Sequence, residues 1–248
     1  SRHQYRGAGY FHGHRRDGRA QRIEEKTMPR QLFDRQLDAL QSDLVRLSEM
    51  VCYAINESIT ALKNQDLELA RTLIAGDRQI NALRFKVDET CLQLLATQQP
   101  AATDLRRIIA AMNVVLDLER MGDHAANIAK IVLRMRDEPL LKPLIDTPKM
   151  ADLCCDMLRR SLEAYQAVDA EAAKQIMQED EQVDQLYDQI FRELLTYMLE
   201  DDRTVKRAMH LLFVAHNLER IADRVGNICE RVVYLKTGEM KELKSSLD

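Results

Sequence analysis

Apolar residues recur every three or four positions along most of the chain. Leu37, Leu40, Leu44, Leu47, Val51, Ile55 and Ile59 form one such stripe and predict a helix over 31–64. Asp66 is a good N-cap for a second helix, whose stripe runs through Leu73, Ile80, Val87, Cys91 and Leu94 to about residue 98. Pro100 marks a tight turn, and a third helix is expected over 102–136. Three prolines (Pro139, Pro143, Pro148) then mark a linker, after which the pattern starts again.

The restart is a repeat. Residues 61–66 (ALKNQD) match 164–169 (AYQAVD) at an offset of 103, which also aligns Asp77 with Asp180 and Cys52 with Cys155. After the turn the offset falls to 100, and LERMGDHAANI (118–128) stands against LERIADRVGNI (218–228). A tandem duplication of a three-helix unit follows, and with it an all-α fold: two antiparallel three-helix bundles, six long helices, related by a pseudo-twofold axis. The expected units are 29–138 and 149–238, joined by a proline-rich linker at 139–148 and followed by a tail at 239–248.

Composition narrows the picture. The 248 residues include only 8 Gly, 5 Pro and no Trp, which suits long helices and excludes sheets with many turns. Residues 1–27 carry seven Lys/Arg against three Asp/Glu, so a formal charge of −4 conceals a remainder near −8. An acidic body argues against nucleic acid as a partner. Residues 1–28 lack a helical period and the apolar core of a signal peptide, and are read as a disordered basic extension outside the fold. Five sparse cysteines fit reduced thiols in the cytoplasm rather than a disulfide framework. No apolar run is long enough for a membrane span.

The identities shared by the two units are polar, and an apolar core does not explain them. Glu119 and Asp123, like Glu219 and Asp223, lie one turn apart on one helix face, where two carboxylates repel; Asn127 and Asn227 continue the line. A hard cation removes that repulsion, and carboxylate oxygen suits such ions. Counting outwards from each hairpin turn places Asp77 level with Asp123 and Asp180 level with Asp223. The competing reading is a solvated face on which Arg120–Asp123 and Arg220–Asp223 form ion pairs. Cys52 and Cys155 are soft accessory ligands or small buried residues. The Glu-x-x-His ligands of a bundle-type metal-storage or redox protein are absent, because Gly122 and Ala222 occupy the third position after each Glu. His124 faces Arg224 in the repeat and reads as a helix-surface residue. The basic pairs Arg106–Arg107 and Lys206–Arg207 recur at the start of the third and sixth helices. A phosphate-binding glycine loop, a nucleophile elbow and a Cys/His pair are all missing, which points away from an enzyme.

These motifs, with QQPAATDLR (98–106), EDEQVDQLY (179–187) and TYMLEDDRT (196–204), resemble the PhoU family of phosphate-uptake and phosphate-signalling regulators over about 33–238. The resemblance implies two three-helix bundles whose acidic motifs bind divalent metal ions or multinuclear clusters (iron, manganese, magnesium or zinc). It assigns that role to Glu119, Asp123, Glu219 and Asp223; Asp77 and Asp180 rest on the hairpin count. It further implies a homodimer that represses the phosphate-starvation response by linking a phosphate ABC transporter ATPase to a sensor histidine kinase, meeting the membrane only through the transporter. Cys52 departs from the family, many of whose members carry an acidic residue there. A purely structural helical scaffold is the alternative.

Overall fold

The computed structural model describes residues 18–98, 100–136 and 138–239. The first repeat comprises α1 (Gly18–Asn64), α2 (Leu67–Gln98) and α3 (Ala102–Arg134). The second comprises α4 (Asp146–Ala167), α5 (Ala170–Gln178), α6 (Asp180–Glu200) and α7 (Val205–Thr237), with a 3₁₀ turn at Asp202–Thr204. No strand occurs among the described residues.

Three boundaries differ from expectation. α1 starts at Gly18, so residues 18–28 of the expected disordered extension are helical, while residues 1–17 lie outside the described residues. Ala20, Gln21, Arg22, Glu24, Glu25 and Lys26 are good helix formers, and propensity carries the helix where apolar period is lacking. α4 takes in Pro148 in its first turn, where a missing N–H has no intrahelical acceptor to lose. The middle helix of the second repeat is interrupted at Glu179, so among the described residues the six expected helices run as seven segments. Glu179 keeps right-handed helical angles (φ −75°, ψ −16°), but Gln182 N donates to its carbonyl at 2.9 Å in a tighter i→i+3 bond. α5 and α6 are two successive segments of that one expected helix.

Both repeats turn from first to second helix in the same way. Gln65 (φ 50°) and Val168 (φ 53°), 103 residues apart, sit in the left-handed region that closes the preceding helix. Asp66 N donates to Ala61 O and Asp169 N to Ala164 O, each at 2.9 Å. The two aspartates then cap the next helix: Asp66 Oδ1 accepts from Leu69 N at 2.9 Å, and Asp169 Oδ1 from Glu171 N and Ala172 N at 3.1 Å. The N-cap expected from the sequence at Asp66 is the one found.

Leu44, Leu47, Ile55, Leu118, Met150, Met157 and Leu158, drawn from both repeats, are fully buried in one continuous apolar cluster. Burying each such side chain stabilises the fold by about 1.5–3 kcal/mol relative to exposure. Across the repeat boundary α1 packs on α4 and α3 on α7. The α3–α7 pair is antiparallel: Asp117 meets Arg224 and Asn227, and His124 meets Asn217. The linker is pinned as well, since Gln65 Nε2 donates to Glu138 O at 2.7 Å and the buried Lys142 pairs with Glu193 of α6.

Candidate functional site

The shared polar set divides into two structural groups. One group lies at the α3–α7 seam. Asp117 is buried and its Oδ1 accepts from Arg224 Nη1 at 3.2 Å and from Asn227 Nδ2 at 3.0 Å. The pseudo-symmetric partner contact is His124 Nδ1 with Asn217 Oδ1 at 2.9 Å. His124 is therefore a seam residue rather than a surface one, and Asn227 serves the seam rather than the carboxylate line. The expectation failed because α3 packs on three neighbours, α1, α2 and α7, so a polar face can be interior. Burial pushes the Asp117 carboxyl above its ordinary range and the His124 ring below its own.

The other group is the candidate carboxylate site. In the first repeat Arg120 lies between its two acids, with Nε 3.5 Å from Glu119 Oε2 and Nη1 3.3 Å from Asp123 Oδ2. In the second, Arg220 does the same, at 3.5 Å from Glu219 Oε2 and 3.0 Å from Asp223 Oδ2. The ion-pair geometry of the competing reading is thus present in both repeats. Three carboxylate oxygens nonetheless remain buried without a hydrogen-bond partner: Asp77 Oδ1, Glu119 Oε2 and Glu219 Oε2. Burial first, then the neighbouring Asp123, pushes the Glu119 carboxyl up, and Asp77 adds to the effect. Burial and then Asp123 likewise raise Asp77. The hairpin count therefore places Asp77 where the charges of Glu119 and Asp123 act on it.

Asp77 is held by Asn81, whose Nδ2 donates to Oδ2 at 2.9 Å. Gly122 lets Ile80 pack closely beside Asp77: a Cβ there would lie 3.0 Å from Ile80 Cδ1 and at ordinary contact, 3.7 Å, from Asp77 Oδ1. Beside Asp77 a cavity of about 500 Å³ opens among α1, α2 and α3, with Met50, Leu73 and Ile80 on its walls and Arg46 and Glu49 at its polar edge. In the second repeat the position equivalent to Gly76 is Glu179, which is clasped by Arg160, with Nη1 to Oε1 at 2.8 Å.

In the second repeat Asp180 is buried at the start of α6, and its charge acts on Cys154 and Cys229. Asp184, one turn further on, is the α6 carboxylate that acts on Glu219, whose carboxyl is raised by burial and then by Asp223. The sequence carried a signal for Asp184, because it is the repeat counterpart of Asn81 and lies as far before the turn as Glu219 lies after it.

The donors suit a hard cation chemically: carboxylates, some desolvated, with three oxygens that accept no hydrogen bond. As the side chains stand, no three His, Cys, Asp or Glu among the described residues form a group able to hold a metal ion, and the arginines lie against the acids. Cys52 and Cys155 are half-buried against each other's helix, and neither belongs to such a group. The repeated basic pairs also have structural neighbours. Lys206 Nζ pairs with Glu138 Oε1 at 2.7 Å, Arg207 approaches the same carboxylate at 4.0 Å, and Arg106 packs against Gly238.

Comparison with known proteins agrees with this duplicated architecture. The PhoU domain model matches residues 44–132 and again 147–232. A phosphate-specific transport system accessory protein PhoU homolog of Aquifex aeolicus is 40% identical over 206 residues, covering 83% of this chain and 93% of that protein. The phosphate-specific transport system accessory protein PhoU of Escherichia coli is 35% identical over 207 residues, with 84% and 86% covered. The crystal structure of the phosphate transport system regulatory protein PhoU from Streptococcus pneumoniae superposes with a TM-score of 0.79 at 36% identity, over 85% of this chain and all of that one. With two copies of the domain filling nearly the whole helical array, the chain belongs to the PhoU family.

Proposed function

We propose that this chain is a regulatory accessory protein of phosphate-specific transport. More finely, it acts in the cytoplasm as a negative regulator and adaptor between a phosphate ABC transporter ATPase and a sensor histidine kinase. The observation that carries the reading is the pair of PhoU domains over most of the chain, together with relatives described as accessory proteins of that system. In this reading the chain acts by binding rather than catalysis, works as a homodimer, and reaches the membrane only through the transporter. No helix among the described residues is long and apolar enough to cross a membrane.

Metal binding is part of the proposal. Glu119, Asp123 and Asp77 would hold a divalent or multinuclear centre of iron, manganese, magnesium or zinc in the first repeat. Glu219, Asp223 and an aspartate of α6, Asp180 or Asp184, would do so in the second. Such a centre supplies positive charge that offsets carboxylate repulsion and ties the middle helix of each repeat to the last. The buried oxygens that accept no hydrogen bond support this reading, and it requires Arg120 and Arg220 to release the acids they bridge. The same arginine bridges favour a purely structural scaffold.

Two measurements separate the readings. Metal content of the full chain, purified with and without chelator and then saturated, is compared with that of Glu119→Gln/Asp123→Asn. The double variant is expected to lose about half of the bound metal, leaving the second site. Equal and negligible binding by both proteins would refute the metal site. Removing the gene from its host is expected to raise phosphatase expression in high phosphate; unchanged expression would refute the regulator.

A further inference from the structure

Cys52 and Cys155 face each other where α1 crosses α4. Cys52 Sγ lies 3.9 Å from the Cys155 carbonyl oxygen, and Cys155 Sγ lies 3.8 Å from that of Cys52. The contact is reciprocal and its residues are 103 positions apart, the offset that relates the two repeats. It therefore sits on the pseudo-twofold axis. Two helices packed about 8–10 Å apart, each with Cα atoms about 2.3 Å from its axis, bring facing Cα atoms to about 3.4–5.4 Å at the closest point. A disulfide spans Cα atoms about 4.4–6.8 Å apart, so the crossing suits one.

The remaining thiols do not compete. Cys91, Cys154 and Cys229 are buried, and burial pushes the Cys91 and Cys229 thiols up to about 12. Cys52 and Cys155 are half-buried. The neighbouring Cys155 thiol first, with Arg159 adding to it, holds the Cys52 thiol below its ordinary value. The proximity of Cys52, and then burial, pushes the Cys155 thiol up. Cys155 Sγ also lies 3.5 Å from Asn56 Oδ1. The two thiols thus stand within reach of each other, so that one can attack and the other resolve.

We propose that Cys52 and Cys155 form a reversible disulfide, with a hydroperoxide as oxidant, that staples the two repeats across their pseudo-twofold axis. The Cys52 thiolate attacks one peroxide oxygen, the O–O bond breaks, and an S–O bond forms. The departing alkoxide takes up the proton lost by Cys52 and leaves as an alcohol, or as water from hydrogen peroxide. Cys155 sulfur then attacks Cys52 sulfur. The S–S bond forms, the S–O bond breaks, and hydroxide leaves with the Cys155 proton as water. Two thiols and one hydroperoxide give one disulfide, one alcohol and one water; the sulfurs lose two electrons and the peroxide gains them. A dithiol reductant reverses the link by exchange. This inference does not depend on the metal or the adaptor reading.

The test uses the reduced full chain, treated with hydrogen peroxide, alkylated in denaturant and mapped by peptide mass spectrometry without reduction. Two of the five thiols should disappear, the chain should stay monomeric on a denaturing gel, and a Cys52–Cys155 peptide two hydrogens lighter should appear. Dithiothreitol should restore all five. Either Cys155→Ser or Cys52→Ser should abolish the bridge and leave the remaining thiol of the pair to stop at a dimedone-reactive sulfenic acid. The bridge closes a loop of about 100 residues, so the oxidised protein should melt about 5–15 °C higher. A bridge to Cys154, links between chains, or unreacted Cys52 and Cys155 would overturn the proposal. An unchanged or lowered Tm on oxidation would overturn the claim that the helices already hold bonding geometry.

Discussion

Asp117 tests what holds the two repeats together. Both hydrogen bonds it receives across the α3–α7 seam, from Arg224 and Asn227, end on the same oxygen, Oδ1. Its side chain is 10% exposed, whereas that of Arg224 is 39% exposed and is able to turn to water. Asp117→Ala leaves the Asn227 amide without its acceptor inside the seam and removes the partner of a partly solvated cation. The unmet amide dominates, so the loss is about 1–3 kcal/mol, or about 4–8 °C in Tm at the middle of that range for a chain of this size. Asp117→Asn keeps an oxygen for both donors. It gives up the charge, but burial already disfavours that charge, as the raised pKa shows. It should stay within about 0.5 kcal/mol of wild type. The second repeat already carries this amide, because Asn217 occupies the equivalent position and pairs with His124. Urea unfolding followed by circular dichroism at the helix band is the assay, since the chain has no tryptophan to report by fluorescence. Equal destabilisation by the two substitutions would refute the reasoning and show that charge, not acceptor geometry, holds the seam.

Two further effects follow from local geometry. Val168 is a β-branched residue at φ 53°, so Val168→Asn should stabilise the protein by about 0.5–1 kcal/mol in the same unfolding assay, because asparagine relieves part of the left-handed cost; a loss would refute it. Glu138 is held below the usual carboxylate range by its hydrogen bond from Lys206. Its folded pKa is depressed, so its contribution is present above the unfolded pKa and is lost as pH falls through the folded value. Glu138→Gln should therefore differ from wild type at neutral pH and converge with it in acid, and a gap that is constant with pH would refute the pairing.

The carboxylate site was legible in part. Glu119 with Asp123 and Glu219 with Asp223 could be found because one helix turn puts i and i+4 on one face and the repeat prints the pair twice. Asp77 could be found because an antiparallel hairpin conserves height on both sides of its turn. The same count leads to Asp180, whose charge acts on Cys154 and Cys229, and passes over Asp184, whose charge acts on Glu219. The start of α1 was missed because an apolar period was sought where only helix propensity speaks.

The sequence by itself determined the all-α class, the duplication, the three-helix unit and the helix starts set by Asp66 and Pro100. Those features depend on periods and caps that act within a few residues of each other. Only the tertiary structure decided which polar face of α3 lies inside. His124, Asp117 and Asn227 look as exposed in sequence as Arg120, yet they form the seam with α7. It also decided that Cys52 meets Cys155, and that Arg120 and Arg220 sit on the acids that a metal would claim. The reason is physical: local pattern reports which side chains avoid water, whereas a buried polar group is settled by the one partner, distant in the chain, that satisfies it.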